Sequence, residues 1–190
     1  SKQLAKRNHE VTIITSDFQF DSQYAKEIRD NGVQVLSFPC IANYGLFLYT
    51  PSMKTWLERN IENYDLIHLH NYRSYQNVIV CKYARKYRIP YIVQAHGSVL
   101  PFFEKQNLKK MFDFVWGNKI LKDARKCIAV SHVEREQYRK MGIPESQIDI
   151  IPNGINPNEF MNLPEKGKFR NKYHISPDEK IILYLGRIHK

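Results

Sequence analysis

Short runs of β-branched and apolar residues alternate with segments of helical pattern along the chain, and this alternation limits the folds that the sequence can adopt. Six runs are predicted as strands: residues 10–16, 33–38, 65–70, 91–96, 126–131 and 148–151. Helices are predicted between them at residues 22–30, 52–63, 75–87, 104–123 and 134–140. Strands and helices that alternate at this spacing form right-handed β-α-β units. The sequence therefore predicts an α/β protein with a Rossmann-like parallel sheet and helices on both faces.

Three other stretches are predicted to lie outside this sheet. Residues 44–49 are aromatic and apolar without a regular period, which is typical of a loop with exposed hydrophobic side chains. Residues 153–177 are rich in Asn, Pro, Lys and Glu and are predicted as a connector, and residues 181–185 as the first strand of a second α/β domain. The predicted domains are residues 1–155, a connector at 156–180, and residues 181–190. Because the chain opens without a methionine, on what looks like the end of a helix, it is expected to be part of a longer protein.

The fourth predicted strand runs directly into a His-Gly turn. Pro90 marks its start, since proline is tolerated at a first strand position, and Tyr91 begins a run of strong strand formers. Gly97 can adopt positive φ or let a ligand approach the backbone closely. His96 is therefore expected at the carboxyl edge of the sheet, where open α/β folds bind ligands. An alternative stays open, in which His96 is a hydrogen-bonded strand-end residue and Gly97 an ordinary turn residue.

Composition and charge exclude several classes of protein. With 190 residues, 43% of them hydrophobic, the chain can bury a core, and no run approaches the roughly 18 apolar residues of a membrane-spanning helix. The widely spaced Cys40, Cys81 and Cys127 indicate reduced thiols of a cytosolic protein rather than disulfides or a zinc site. The net charge of +10 is concentrated in residues 82–126, which hold eleven basic and three acidic residues. Such a patch can face nucleic acid, an anionic membrane or phosphorylated substrates, or form a solvated helix face.

Six separate fragments point to one family when they are taken together. They are residues 6–15 (KRNHEVTIIT), 64–70 (YDLIHLH), 94–98 (QAHGS), 127–131 (CIAVS), 151–155 (IPNGI) and 184–187 (YLGR). In this order and spacing they resemble the amino-terminal half of a family 4 (group 1) retaining glycosyltransferase of the GT-B fold. The resemblance implies two Rossmann-like domains, of which the first binds the acceptor and the second the nucleotide sugar. It makes residues 1–155 an acceptor domain without its first strand and Gly-rich loop, and the Glu-x7-Glu element of the donor domain is not in the sequence.

The resemblance also assigns roles to individual residues. His96 matches the histidine beside the transferred sugar, where a neutral imidazole or a backbone carbonyl can accept a hydrogen bond from a sugar hydroxyl and stabilise developing positive charge. Gly97 would let the sugar pass close to the backbone. Arg187 matches the arginine that grips the donor diphosphate, since a guanidinium can bond two phosphate oxygens at once. His70 and Asn71 are predicted to bind substrate on the acceptor side, although His70 can equally be a packed strand-end residue.

Two further fragments have structural interpretations. The dipeptide Asn153-Gly154 is predicted to form a positive-φ turn. Ser131 stands at a strand end, where its hydroxyl can cap the next helix.

These patterns lead to one hypothesis and two alternatives. The hypothesis is a glycosyltransferase that moves a sugar from a nucleotide diphosphate donor to a hydroxyl acceptor with retention of configuration, in glycan, glycolipid or surface polysaccharide synthesis. The resemblance implies front-face displacement through an oxocarbenium-like state, with no metal and no cofactor beyond the nucleotide sugar as co-substrate, and the chain alone is expected to be inactive. A sugar-nucleotide epimerase of the same fold would need acidic residues at the predicted ligand edge, and none is identified there from the sequence. A basic domain that binds nucleic acid would need a recognisable binding module, so nucleic acid is not an expected partner.

The basic segment after His96 is predicted to meet an anionic membrane surface, with the protein in the cytoplasm at the inner face of the membrane and a saccharide or lipid-linked acceptor. At about 100° per residue, one apolar stripe is predicted to pack on the sheet. It consists of Leu108, Met111, Phe112, Val115 and Trp116. Phe114 and Leu121 are predicted on the outer side near Lys110, with Phe102 and Phe103 upstream. In the alternative, a neighbouring helix or residues 44–49 bury Phe114 and Leu121.

Overall fold

The computed structural model describes residues 1–44, 47–101 and 105–186, except for the side chain of Glu159. Within these ranges the β-strands are β1 Val11–Ser16, β2 Val33–Phe38, β3 Ala42–Tyr44, β4 Phe47–Tyr49, β5 Ile67–His70, β6 Tyr91–Gln94, β7 Lys126–Ala129 and β8 Ile148–Ile150. The α-helices are α1 Lys2–Ala5, α2 Ser22–Asp30, α3 Pro51–Asn60, α4 Tyr75–Tyr87, α5 Gln106–Phe112, α6 Asn118–Lys122, α7 His132–Lys140 and α8 Lys168–Tyr173. Short 3-10 helices lie at Ile61–Asn63, Glu145–Gln147 and Pro157–Phe160, and a π-helix spans Asp113–Gly117.

The strands form two parallel sheets and one hairpin. β1 pairs with β2, while β5, β6, β7 and β8 form a four-stranded parallel sheet in that order. Each parallel pair is joined through helical structure: α2 lies between β1 and β2, and α4 between β5 and β6. Helix α5, the π-helix and α6 lie between β6 and β7, and α7 lies between β7 and β8. The predicted α/β class with a parallel sheet is confirmed.

Local signals in the sequence explain where several elements begin and end. The carboxylate of Asp21 accepts a hydrogen bond from the Tyr24 amide (2.8 Å) and caps α2. The same helix stops before Gly32, which has a φ of 79°. The hydroxyl of Ser74 accepts a hydrogen bond from the Asn77 amide (3.1 Å) and caps α4. Helices α2 and α4 and strand β2 therefore have the predicted bounds.

The predicted loop at residues 44–49 is part of a β-hairpin, so this prediction is wrong for the described residues. β3 and β4 are antiparallel neighbours on either side of residues 45–46, which lie outside the described residues. The rings of Phe47 and Tyr49 pack edge-on against Tyr75 of α4, with centroid distances of 5.3 and 5.0 Å. Aromatic contacts with a distant helix hold the hairpin, and the pattern of a six-residue stretch cannot show such contacts.

The main hydrophobic core lies around the four-stranded sheet. Val93 of β6 and both Cys127 and Ala129 of β7 have no exposed surface. Cys81 and Ala84 of α4 are buried in the same cluster. A smaller cluster packs α2 onto the β1–β2 sheet. The hydrophobic core therefore supports β5, β6 and β7 and fixes the positions of their carboxyl ends.

The helical segment after β6 differs from the prediction in the face that it buries. Of the predicted inward stripe, Phe112 is buried, whereas the other four side chains are between 41% and 57% exposed: Leu108, Met111, Val115 and Trp116. Phe114 is on the outer side as predicted, with 86% of its surface exposed. Leu121 was expected beside it but is fully buried, so both the inward stripe and the outward Leu121 are wrong.

Two features that a regular 100° projection omits explain this difference. Asp113 is buried and forms an ion pair with Arg73 (2.7 Å), so this acidic side chain of the segment faces inward. The π-helix at Asp113–Gly117 shifts the register of the residues that follow it. The shift turns Ile120 and Leu121 of α6 towards the core.

The chain divides into two compact units, residues 1–152 and 153–190. In the second unit the described residues form a 3-10 helix and α8, so the stretch predicted as a connector contains helical structure. Residues 181–185, predicted as a strand, pair with no strand in the described part of the chain. Their apolar side chains are exposed. A strand needs a hydrogen-bonded neighbour, so an apolar β-branched run is not sufficient to form one.

Candidate functional site

Three histidines meet at the carboxyl ends of β5 and β6. In the parallel register His70 of β5 lies opposite Gln94 of β6, and His96 follows two residues later. Nδ1 of His70 and Nε2 of His96 are 2.9 Å apart, and the two rings stack with centroids 5.2 Å apart. His68 also stacks on His70, with centroids 4.2 Å apart. The predicted candidates His70 and His96 are therefore in direct contact.

The turns that follow these two strands use left-handed backbone conformations. The φ angles are 60° at Asn71, 52° at His96 and 83° at Gly97. Positive φ is uncommon outside glycine, and Asn and His tolerate it better than most residues. Gly97 thus adopts the positive φ that was one of the two roles considered for it. A β-carbon placed on Gly97 would meet no atom within 4 Å in the described chain, so the backbone of this turn can be approached closely.

The buried carboxylate of Glu134 ties the His96-Gly97 turn to the end of β7. Its Oε1 accepts a hydrogen bond from the Gly97 amide (2.5 Å), and its Oε2 accepts one from the Val130 amide (2.7 Å). The hydroxyl of Ser131 accepts a hydrogen bond from the Glu134 amide (3.2 Å) and caps α7, as predicted. One side chain thus satisfies two backbone donors at the sheet edge.

Two further buried side chains hold the backbone around the histidines. The hydroxyl of Tyr138 accepts a hydrogen bond from the Ala95 amide (3.1 Å), which precedes the turn. The side-chain amide of Asn77 donates to the carbonyls of Asn71 (3.3 Å) and Tyr72 (3.4 Å) after β5. Both turns are therefore fixed from helices that pack beneath them, α7 and α4.

A buried ion pair fixes the chain beyond the turn. Nε and Nη2 of Arg73 donate to the two carboxylate oxygens of Asp113 (2.8 and 2.7 Å), and the Tyr72 hydroxyl donates to the same carboxylate (2.7 Å). Arg73 also donates to the carbonyls of Ser98 and, at 2.8 Å, Val99. The guanidinium therefore connects the residues that follow the His96-Gly97 turn to the π-helix.

The surroundings of His68 and His70 disfavour the protonated form of both imidazole rings. Desolvation lowers the pKa of His68 to about 4, and the neighbouring His70 acts in the same direction. Desolvation also lowers the pKa of His70, together with repulsion from His96. Both rings are therefore neutral at pH 7. In a neutral pair, one of the facing nitrogens of His70 and His96 donates and the other accepts.

The structure brings four of the five predicted site residues to one edge of the sheet. They are His70, Asn71, His96 and Gly97. Arg187 lies outside the described residues. The dipeptide Asn153-Gly154 does not adopt the predicted positive-φ turn, since neither residue has a positive φ. Gly154 therefore has a backbone conformation that residues other than glycine can also adopt.

Several residues that shape the site were not identified from the sequence: His68, Arg73, Asn77, Asp113 and Glu134. Glu134 had a usable signal, because Ser131 and Glu134 have the Ser-x-x-Glu spacing of a capping box. Arg73 and Asp113 are forty positions apart, and no local pattern connects them.

The described residues contain no group of three His, Cys, Asp or Glu side chains that could hold a metal ion. None of the helices in the described ranges has the length and apolar content needed to span a bilayer.

Known proteins match this chain in sequence. The family model of Glycosyltransferase Family 4 matches residues 1–159. An uncharacterized glycosyltransferase of Methanocaldococcus jannaschii is 23% identical over 195 residues, which are 97% of this chain and 48% of the relative. The N-acetyl-alpha-D-glucosaminyl L-malate synthase of Bacillus anthracis is 25% identical over 200 residues, 100% of this chain and 49% of the relative. The chain thus spans about half the length of the curated relatives it matches.

Solved structures match it in fold. The Anabaena protein HepE in complex with UDP has a TM-score of 0.59 at 15% identity, over 87% of this chain and 50% of that one. The same protein with UDP-glucose has a TM-score of 0.57 at 16% identity, with the same coverage. At these identities the likeness shows the fold alone.

Proposed function

The chain belongs to glycosyltransferase family 4, and on this premise we propose that the whole protein transfers a sugar from a nucleotide diphosphate donor to a hydroxyl acceptor with retention of anomeric configuration. The observation that carries the proposal is the His70–His96 contact at the carboxyl ends of β5 and β6. Open α/β folds bind their ligands at this edge.

A UDP-sugar is the proposed donor. The Anabaena relative is bound to UDP in one structure and to UDP-glucose in another, and the Bacillus anthracis relative is named for an N-acetylglucosaminyl product. Arg187 is proposed to bind the diphosphate, because a guanidinium forms paired hydrogen bonds with phosphate oxygens. The proposal needs no metal ion and no other cofactor, since the guanidinium can stabilise the leaving group.

His96 is proposed to lie against the transferred sugar. His70 engages Nε2 of His96, so a sugar hydroxyl would meet Nδ1 or the backbone carbonyl of His96. The open backbone at Gly97 leaves room for the sugar ring. His70 and Asn71, at the end of the neighbouring strand, are proposed to contact the acceptor.

The proposed reaction exchanges one bond at the anomeric carbon for another. The bond between this carbon and the diphosphate oxygen breaks, and a bond to the acceptor oxygen forms on the same face. The acceptor proton passes to the departing phosphate oxygen. A neutral imidazole and a backbone carbonyl at His96 stabilise the oxocarbenium-like positive charge between these events. The proposal requires no protein nucleophile.

The proposed setting is glycan, glycolipid or surface polysaccharide synthesis, with a saccharide or lipid-linked acceptor. The proposed location is the cytoplasm, because the three cysteines are free thiols in the structure and a reducing compartment keeps thiols in that state.

The test is an assay of the full-length protein with UDP-glucose and UDP-N-acetylglucosamine against a panel of saccharide and lipid-linked acceptors. We expect release of UDP together with a glycoside that has the donor's anomeric configuration by NMR, and undiminished activity in the presence of EDTA. An inverted product would contradict retention, and loss of activity in EDTA would contradict the metal-free mechanism. Interconversion of the donor sugar without transfer would show an epimerase instead.

A further inference from the structure

Five large apolar side chains are exposed on one helical segment beside the candidate site. They are Leu108, Met111, Phe114, Val115 and Trp116, on α5 and the π-helix. Phe114 is 86% exposed, and among the large apolar side chains that the structure describes only Ile182 and Leu185 have a larger exposed fraction. Several exposed apolar side chains within one short segment mark an interaction surface more often than apolar residues that are scattered singly.

Within residues 105–122, every charged side chain that is not buried is a lysine. Residues 105–122 contain five lysines, Lys105, Lys109, Lys110, Lys119 and Lys122, and a single acid. That acid, Asp113, is buried and bonded to Arg73, so it does not reach the outer face. The five apolar side chains, Lys105, Lys110 and Lys119 are called the apolar-basic surface below.

The fold prevents this segment from turning its apolar side inward. Phe112, Ile120 and Leu121 occupy the core side of the same segment. The two bonds between Arg73 and Asp113 lock its rotation. The packing of this segment therefore keeps its outer apolar side chains exposed to solvent. Only a binding partner outside the described residues could bury them.

We propose that the apolar-basic surface binds an anionic membrane, with the apolar side chains in the interfacial layer and the lysines at the lipid headgroups. Amphipathic helices that combine Trp, Phe and Leu with lysine on their flanks lie in this layer. Tryptophan favours the headgroup level in particular. The lysines select an anionic lipid surface by charge complementarity.

The same ion pair connects this surface to the candidate site. Arg73 holds Asp113 on one side and the carbonyls of Ser98 and Val99 on the other, directly after the His96-Gly97 turn. Through Arg73, the helical segment that bears this surface is bonded to the residues directly after the turn at which the sugar is proposed to bind. This last point rests on the proposed function, whereas membrane binding itself does not.

The test is co-sedimentation of the full-length protein with vesicles of phosphatidylcholine alone and of phosphatidylcholine with phosphatidylglycerol. We expect binding to the anionic vesicles only. Phe114→Ser and the double variant Lys110→Gln with Lys119→Gln should each reduce binding by about tenfold or more. The matched controls are Val133→Ser, an exposed apolar residue of α7, and Lys140→Gln at the end of that helix. Both controls should bind as the wild type does.

Each other outcome overturns the proposal. Absence of binding by the wild type would mean that another part of the protein covers the surface. Equal binding to neutral vesicles would remove the role of charge. Loss of binding in the lysine variant but not in Phe114→Ser, with salt-sensitive binding to DNA, would make it an anionic-polymer site. Thermal unfolding of each variant checks that the fold is intact, and because vesicle binding is measured without substrate, its result is independent of the glycosyltransferase assay.

Discussion

His70 and His96 share a hydrogen bond that tolerates only one proton between the facing nitrogens. With Nδ1 of His70 and Nε2 of His96 at 2.9 Å, protonation of both would place two donors against each other. The stack with His68 adds a third ring that is disfavoured in its charged form. The neutral form of His70 is thus compatible with its hydrogen bond to His96.

The first prediction at this scale concerns turnover. His96→Ala in the full-length protein should lower kcat by about 10²-fold or more, because a preorganised polar group at the reacting centre is lost. Stability should fall only modestly, since the His96 side chain is exposed and the cost is that of placing alanine, which is less favourable there than histidine, at a φ of 52°. The measurements are UDP release and urea unfolding, with the exposed His132→Ala as control. Turnover close to that of the wild type would remove His96 from the mechanism.

The second prediction concerns pH. The pKa of His68 is about 4 in the folded protein and about 6.5 in an unfolded chain. Between these values the unfolded chain binds a proton that the native state does not, so stability should fall as the pH decreases from about 6.5 towards 4. The lowered pKa of His70 acts with the same sign.

Urea midpoints measured across this pH range check the prediction. His68→Asn removes one of the titrating groups and should flatten the dependence, whereas His132→Asn should leave it as steep as in the wild type. An equal slope in all three proteins would show that the histidine stack does not control acid stability.

The third prediction concerns Glu134. In Glu134→Gln one of the two acceptor oxygens becomes an NH₂ donor, so either the Gly97 or the Val130 amide loses its partner. A buried donor left unsatisfied costs about 1–3 kcal/mol of unfolding free energy. Denaturant unfolding measures it. Glu136→Gln, which loses only exposed ion pairs with Arg139 and Arg135, should cost less than about 1 kcal/mol. Equal effects of the two variants would contradict the anchoring role.

At the residue scale, the sequence could predict positions but not partners. A strand followed by His-Gly placed His96 at the edge of the sheet and Gly97 in a positive-φ turn. The contact of His96 with His70 depends on the register between β5 and β6, which no local pattern specifies. The spacing of Glu134 from Ser131 could have identified it as a helix-capping residue. Its hydrogen bond to Gly97 could not have been predicted, because the two residues are thirty-seven positions apart.

At the scale of elements, the helical segment after β6 is set by a buried ion pair rather than by its apolar face. Its apolar side chains do not form the single inward stripe that the sequence predicts: Phe112 is buried, whereas Leu108 and Met111 are exposed. Asp113 must reach Arg73, and a buried charge without its partner would cost about 3–5 kcal/mol. That cost exceeds the gain from burying one more side chain of the stripe, about 1.5–3 kcal/mol. The ion pair therefore decides which face points inward.

The fourth prediction tests the packing at the end of the π-helix. A β-carbon on Gly117 would lie 2.4 Å from the Tyr72 hydroxyl and 2.8 Å from Oδ1 of Asp113. Gly117→Ala should therefore destabilise the protein by about 1–3 kcal/mol, although alanine is the better helix former. Gly154→Ala is the control, since a β-carbon there meets no atom and φ is not positive. Thermal unfolding that is equally unaffected in both variants would mean that the π-helix absorbs the methyl group.

At the scale of the whole molecule, the predicted α/β fold is confirmed: the parallel units match half of the Anabaena protein HepE in fold, and the family 4 model covers residues 1–159. The class followed from the alternation of strands and helices, and the order of most elements followed with it. The hairpin β3–β4 did not, because it is held by Tyr75 of a distant helix. Residues 181–185 have the composition of a strand, yet composition cannot supply the neighbour that a strand requires.

The last prediction follows from the difference between the two compact units. Amide exchange requires local opening, and its free energy depends on the buried contacts that opening breaks. β6 and β7 are hydrogen-bonded on both sides and carry fully buried residues such as Val93 and Ala129. In residues 153–186 no side chain that the structure describes is buried. In the 190-residue chain we expect β6 and β7 to exchange far more slowly than residues 153–186. Hydrogen exchange followed by mass spectrometry measures this directly, with a urea-unfolded sample as the reference for unprotected rates. Protection of residues 153–186 comparable to that of β7 would show that the second unit has a cooperative core that the described contacts lack.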